Sequence, residues 1–272
     1  MTARLWPLLL LLATALATVA RADDVIVLAS TTSVENSGLL SAILPQFRQT
    51  SGIEVRVVAL GTGQALDTAR RGDADLVLVH DPDAEERFVA EGHGVNRTEI
   101  AWNDFIVVGP ASDQAHIAEG RDAVMAFQRI AETRVPFISR GDNSGTDALE
   151  KRLWRAAGIN PLATGLGSWY RDVGSGMGAA LNFASAMNGY TLSDRGTWLS
   201  FGNKGSLKIL VQGDPRLINR YDLIQLNPAK HPNAKLTLAR RFAEWLRSDE
   251  GQKGIAAYMV NGEQLFHPLG AE

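Results

Sequence analysis

Trp102-Asn103-Asp104-Phe105-Ile106-Val107-Val108-Gly109-Pro110 and Arg220-Tyr221-Asp222-Leu223-Ile224-Gln225-Leu226-Asn227-Pro228 read alike. Each has an aromatic residue, an Asp, an apolar run and a closing Pro, and the two lie more than a hundred residues apart. Two similar strands bracketing a middle region are what a chain needs if it crosses into a second lobe and later returns. The alternative is coincidence between two ordinary buried strands. On the crossing reading, one lobe holds residues 23–108 plus 220–272 and the other holds 109–219. A cleft between two lobes is a preferred place for a ligand, and hinge closure around it is a known use of such pairs.

Outward from these segments, short apolar runs alternate with helical patterns. Strands are expected at Val25–Ala29, Glu54–Leu60, Asp75–Val79, Asp104–Val108, Val135–Ser139, Tyr170–Val173, Tyr190–Ser193, Leu207–Val211 and Tyr221–Leu226. Helices are expected at Gly38–Thr50, Gln64–Arg71, Ala84–Glu91, Asp122–Glu132, Ser144–Ala157 and Met177–Met187, then at Leu236–Leu246 and Asp249–Met259. In the first of these, Leu39, Leu40, Ile43, Leu44 and Phe47 share one face, while Pro45 should kink or divide it. The alternation predicts an α/β fold with mainly parallel sheets.

Residues 1–22 read as an export signal: Arg4 supplies the positive charge, Leu8–Leu12 begin the apolar stretch, and Ala20-Arg21-Ala22 is an A-x-A-like cleavage site. A membrane anchor would need ~20 apolar residues, and this stretch is short and broken by Thr14 and Thr18. The mature chain is expected to begin near Asp23, in the periplasm, without a membrane anchor. Its 272-residue precursor has no cysteine, so packing rather than disulfides must stabilise the fold. A net charge of -3 gives no electrostatic footprint for nucleic acid, so an anion would have to be attracted by a local pocket.

Three segments look like strand ends running into helix starts through small hydroxyl and glycine residues. They are Ser30-Thr31-Thr32-Ser33, Gly61-Thr62-Gly63, and Arg140-Gly141-Asp142-Asn143-Ser144-Gly145-Thr146. Each would place N–H groups and hydroxyls at a helix N-terminus, a ready-made anion site. A tetrahedral dianion only accepts hydrogen bonds, so its pocket should be all donors. Thr31, Thr32 and Ser33 offer hydroxyls and successive N–H groups, and the corner Gly61 to Gly63, which includes Thr62, lets the backbone come close because glycine has no Cβ. Arg140 offers a planar fork, and Ser144, Gly145 and Thr146 open a helix. Two helix N-termini at roughly +0.5 each plus Arg140 give about +2, which matches a dianion without a metal or cofactor.

Each corner also has a plainer reading. Ser and Thr before helices are commonly simple N-caps, and Asp142 reads as a cap or a brace for Arg140. Arg71-Gly72-Asp73 and Arg140-Gly141-Asp142 spell an adhesion tripeptide that is usually just a turn. Gly174-Ser175-Gly176-Met177-Gly178-Ala179 satisfies a dinucleotide fingerprint, but a lone match is weak. It reads as a fourth glycine-rich helix start, contributing N–H groups from the second lobe or serving tight helix–sheet packing. The five histidines have no metal spacing, and no nucleophile elbow or P-loop is present, so no enzymatic activity is expected. A hydrolase using Ser144 would need a histidine within hydrogen-bond reach.

The blocks STTSVENSGLL, GTGQAL, GDADLVLVH, NDFIVVGP, SRGDNSGT, GMGAALNFAS, YTLSDRGTW and NPAKHPN occur in that order over nearly the whole mature chain. In them the chain resembles the periplasmic tungstate-binding proteins of ABC transporters, a branch of the two-lobed type II periplasmic binding proteins. The resemblance implies two α/β lobes joined by two crossing strands and an oxyanion cleft between them. It further implies delivery of tungstate to a membrane permease and its ATPase. Its oxyanion-contacting segments fall here at Thr31–Ser33, at Gly61–Thr62 and at Arg140 through Thr146. Two departures, Glu35 and Asp147, should add negative charge near the mouth. Molybdate shares the charge and shape of tungstate and stays open as a ligand. Sulfate is smaller, and phosphate carries a proton that wants an acceptor. Nothing in the sequence signals oligomerisation, and a hinged receptor can work as a monomer.

Overall fold

The computed structural model describes residues 24–164 and 168–270; the leader expected over residues 1–22 lies outside them. The chain opens with β1 (Asp24–Thr31), α1 (Thr32–Asn36), α2 (Leu39–Ser51), β2 (Ile53–Leu60), α3 (Thr62–Arg70), β3 (Leu76–Val79) and α4 (Pro82–Ala90). The long strand β4 (Gly94–Pro110) then crosses into a second body. That body contains α5 (Ala123–Thr133), β5 (Phe137–Ser139), α6 (Gly145–Ala156), α7 (Pro161–Thr164), β6 (Tyr170–Asp172), α8 (Met177–Met187), β7 (Thr191–Asp194), α9 (Arg195–Ser200) and β8 (Leu207–Val211). The return strand β9 (Ile218–Leu226) leads to α10 (Leu236–Arg247), α11 (Asp249–Ala256) and a small hairpin of β10 (Met259–Val260) and β11 (Glu263–Gln264).

The two matched segments meet at the crossing. Trp102 pairs with Arg220, Asn103 with Asn219 and Asp104 with Ile218, all antiparallel. From Phe105 onward β4 takes new partners, β7 at Asp194 and β8 further along. The two similar stretches therefore start opposite each other and run apart, one into each lobe. A buried amide and phenol cluster fastens this point: Asn219 Nδ2 donates to Asn103 Oδ1 at 2.8 Å and to the Tyr221 hydroxyl at 2.7 Å.

The sheet order is β2-β1-β3-β9-β4-β7, with β8 also on β4. Among the strand pairs of the described residues, β1 with β2, β1 with β3, and β5 with β6 are parallel. The expectation of mainly parallel sheets is thereby corrected, since β9 runs antiparallel to β3 and β4, and β4 to β7 and β8. The cause is topological: a strand that threads between lobes enters each sheet from the opposite end to strands wound within it.

Pro45 does not divide its helix. It lies inside the continuous α2, which runs between Gly38 at φ +79° and Gly52 at φ +75° and buries Leu39, Leu40, Ile43 and Phe47. Left-handed glycine ends such as Gly52 are the usual helix stop. Apolar packing forms one cluster confined to Phe105–Leu217 and another built around β1, β3, α3 and β9. A third, the largest, runs from Ile26 to Phe266 and includes Ile106, Val108 and Leu181, so the two lobes share a seam beside the crossing strands. Among the described residues, no helix is long and apolar enough to cross a membrane.

Candidate functional site

At the end of β1, Ser30 Oγ donates to the Leu78 carbonyl at 2.8 Å, and Thr31 Oγ1 accepts the Val34 N–H at 3.1 Å. Thr31 is buried and occupied as an N-cap. Thr32 is exposed and Ser33 half-buried, and as first-turn residues their N–H groups have no intrahelical acceptor. The helix they open has only five residues, so its donors are local and its dipole is slight.

Arg140 follows β5 and is 6% exposed. Its Nε and Nη2 both donate to Asp142 Oδ2, at 3.1 and 2.5 Å, and its Nη1 reaches Thr146 Oγ1 at 3.3 Å. Asp142 Oδ1 accepts the Ser144 N–H at 3.2 Å, so one carboxylate both braces the guanidinium and shapes the turn. Partial burial works to raise the Asp142 carboxyl, but hydrogen bonds from Arg140 and Ser144 outweigh it and hold it below its ordinary range. The turn needs glycine at Gly141, where φ is +60° and an added Cβ would lie 1.5 Å from Asp172 Oδ1. Ser144 Oγ accepts the Asp147 N–H at 3.3 Å. Asp147 itself is buried and bonded to Lys151 at 2.6 Å and to the Asn143 N–H at 3.0 Å. It is therefore buried in an ion pair rather than exposed at the mouth, contrary to expectation, although its Oδ1 has no hydrogen-bond partner.

The Arg140 carbonyl accepts the Ser175 N–H at 3.0 Å, which ties this loop to the start of α8. There a Cβ on Gly174, Gly176 or Gly178 would meet nothing within 4 Å. These glycines do not serve tight packing; they leave the first turn of an eleven-residue helix open. The first-turn N–H groups of Met177 and Gly178 have no intrahelical acceptor and point out of that turn.

A cavity of about 420 Å³ lies between these elements. Thr32, Ser33 and Asn36 line it from α1, and Arg140 and Ser175–Ala179 from the second lobe, together with Asp194, Thr197, Ser200 and Phe201 around α9. Of the expected site residues, Thr32, Ser33 and Arg140 are brought together on its walls. Thr31, Ser144, Gly145 and Thr146 belong to the layer that holds those walls. Gly61 and Thr62 are not part of the lining: the Gly61 N–H is engaged by Gln64 Oε1 at 3.3 Å, and Thr62 Oγ1 is buried without a hydrogen-bond partner. A larger cavity of about 600 Å³ beside Trp102, Asp104, Arg195 and His267 involves none of the expected corners.

Asp194 changes the expected charge balance. The residues of the three corners predict a pocket of donors alone, yet this carboxylate is on the wall. Its Oδ2 accepts the Thr197 N–H at 2.7 Å and so caps α9; its Oδ1 is buried without a hydrogen-bond partner. Asp194 is of a residue type favoured at helix N-caps, a signal that could have marked this helix start, although six residues are too few for periodicity to show. Off the cavity lining, His80 follows β3 and packs against the start of α6, where a Cβ on Gly145 would come within 2.6 Å of the ring. Burial pushes His80 down to about 4, against the pull of Asp194 and Asp81, so the ring is neutral at physiological pH.

Comparison with known proteins gives a consistent set. The model of the PBP superfamily domain matches residues 15–250. The tungstate-binding protein TupA of Peptoclostridium acidaminophilum is 44% identical over 256 residues, covering 93% of this chain and 88% of that protein. The solved tungstate-binding protein TupA from Desulfovibrio alaskensis G20 superposes with a TM-score of 0.82 at 42% identity, covering 90% of this chain and 98% of the other. The solved structure described as the tungstate ABC transporter from Geobacter sulfurreducens gives 0.78 at 42% identity, covering 88% and 100%.

Proposed function

This chain belongs to the PBP superfamily, and on that premise we propose that it is the solute-binding protein of an ABC transporter and captures tungstate. The observation that carries the proposal is the buried Arg140 guanidinium on a cavity wall beside the open first turn of α8, facing the hydroxyls of Thr32 and Ser33. A cation, unpaired helix N–H groups and hydroxyls on facing walls suit a tetrahedral oxyanion that accepts on every oxygen. Molybdate has the same charge and shape and is the second ligand. Thr31, Gly61, Thr62, Ser144, Gly145 and Thr146 are assigned to the same site: the first and the last three as supports, Gly61 and Thr62 as a corner reached on closure, with the Thr62 hydroxyl as its donor.

We assign residues 23–108 with 220–272 to one moving body and residues 109–219 to the other, pivoting where β4 leaves β9. Export to the periplasm with cleavage near Ala22, a monomeric receptor, and docking to an inner-membrane permease complete the proposal. Binding proceeds without chemistry, since the Ser144 hydroxyl is engaged by Asp147 and His80 makes no hydrogen bond to it. Calorimetric titration of the mature chain with tungstate, molybdate, sulfate and phosphate tests this. Tight binding of the first two and weak binding of the others is expected; preference for phosphate would overturn the assignment. A tungstate excess of ~100-fold over Kd should also stabilise the fold by ~2.7 kcal/mol, read as a rise in Tm.

A further inference from the structure

Two imidazoles far apart in the chain meet beside the start of β4. His93 Nδ1 lies 3.2 Å from His231 Nε2, across 138 residues of sequence, so no local spacing announces the pair. His93 ends the turn after α4, and His231 follows β9. Backbone bonds fix both: the His93 carbonyl accepts the Asn227 N–H at 2.9 Å, and the Asn227 carbonyl accepts the His231 N–H at 2.9 Å. Asn227 Nδ2 also donates to the Gly92 carbonyl at 2.8 Å, and Phe88 stacks on the His93 ring at 5.7 Å. The two nitrogens are therefore held in place by groups other than each other.

We propose that His93 and His231 hold a zinc ion between these two nitrogens, with water completing its coordination. The separation of the nitrogens carries the proposal. Zinc takes imidazole nitrogens at about 2.0–2.1 Å in a tetrahedron, which sets two ligands about 3.3 Å apart. A square-planar ion such as Cu2+ would draw adjacent ligands to about 2.8 Å. Among the described residues no third His, Cys, Asp or Glu side chain joins the pair, so two positions are left to water. His93 is only half-buried, which leaves the pair open to an ion from solution. Both rings are neutral at physiological pH. Burial lowers each below its ordinary value and Lys230 lowers both further, while His231 and Arg70 also act on His93, against Glu91. The neutral ring is the form that ligates. In the metal-free pair one ring donates its N–H to the other. On binding, that ring carries its proton on its other nitrogen, so both lone pairs turn to the ion and no proton is released. Lys230 and Arg70 repel an ion, so coordination rather than charge drives binding. Neither histidine lines the oxyanion cavity, and the zinc site does not rest on that reading.

The test is calorimetric titration of the mature chain with zinc chloride, without tungstate, beside His93→Phe and His231→Phe. The unmutated chain should take up one zinc ion saturably, and each variant should lose at least tenfold in affinity. Because the ion ties the turn after α4 to the loop after β9, zinc should raise the Tm of the unmutated chain and leave both variants where they are. Mg2+, which prefers oxygen ligands, should do neither. No saturable zinc uptake, uptake undiminished in the variants, or equal uptake of Mg2+ would overturn the site. Should a histidine variant fail to fold by circular dichroism, the exposed Lys230→Met decides. Removing a cation that acts on both rings should tighten zinc several-fold, and an unchanged or weaker affinity would refute the placement.

Discussion

The two walls of the cavity are built to different standards. On the first-lobe wall, Thr32 and Ser33 ride on a five-residue helix, exposed or half-buried, and neither carries charge. On the second-lobe wall, Arg140 is nearly buried, held by Asp142 and Thr146, and bonded through its carbonyl to the start of the eleven-residue α8. A held guanidinium loses little freedom on meeting an anion, whereas a light hydroxyl corner contributes mainly contact. On the proposed function the difference is a division of labour: the second lobe would supply charge and fixed donors, and the first a face of hydroxyls opposite them.

The contrast breaks or holds first at Arg140. Arg140→Ala should weaken tungstate by roughly a hundredfold or more, the loss of a charged partner in a desolvated pair. Arg140→Lys should recover only part, because a point charge cannot replace the planar fork. Calorimetry that finds both variants unchanged would move the charge elsewhere. The brace comes next. Asp142 is held below its ordinary carboxylate range, so its stabilising contribution is complete above an unfolded value near 3.8 and is lost as pH falls through its folded value. Melting curves between about pH 5 and pH 2 should therefore show Asp142→Asn destabilised at the upper end, with the gap closing toward the lower. An equal gap throughout would mean that Asp142 does not act as a charge.

Much of this contrast is legible in the amino-acid sequence. Strand-end corners, the Arg140 turn and the crossing strands follow from residue type and spacing, while the glycines of 174–178 are legible as a helix start but not as open rather than packed. What the sequence hides has physical causes. Residues 94–103 of β4 are half-buried and interrupted by register shifts, so they show no clean alternation. The parallel sense expected of the sheets fails because chain direction at a crossing is topology, which local pattern does not carry. Asp194 and α9 escape because a short capped turn has no periodicity. Gly61 and Thr62 form the corner that sequence predicts, but only three-dimensional placement separates it from the cavity lining.

The smallest effects sharpen the first-lobe wall. Thr32→Ala and Ser33→Ala should each weaken tungstate several-fold, about the worth of one neutral hydrogen bond, and far less than loss of Arg140. Thr31 should behave differently from its neighbours. Its Oγ1 is already the acceptor for the Val34 N–H, and it is 3% exposed, so Thr31→Ala removes an N-cap rather than a ligand contact. The expected cost is ~1 kcal/mol of stability, a fall in Tm of about 2–4 °C in a protein of this size, with affinity changed less than in Thr32→Ala. Paired melting and titration of the Thr31 and Thr32 variants separate the two roles. If Thr31→Ala loses more affinity than Thr32→Ala, the oxyanion sits deeper against β1, and the first lobe does more than face it.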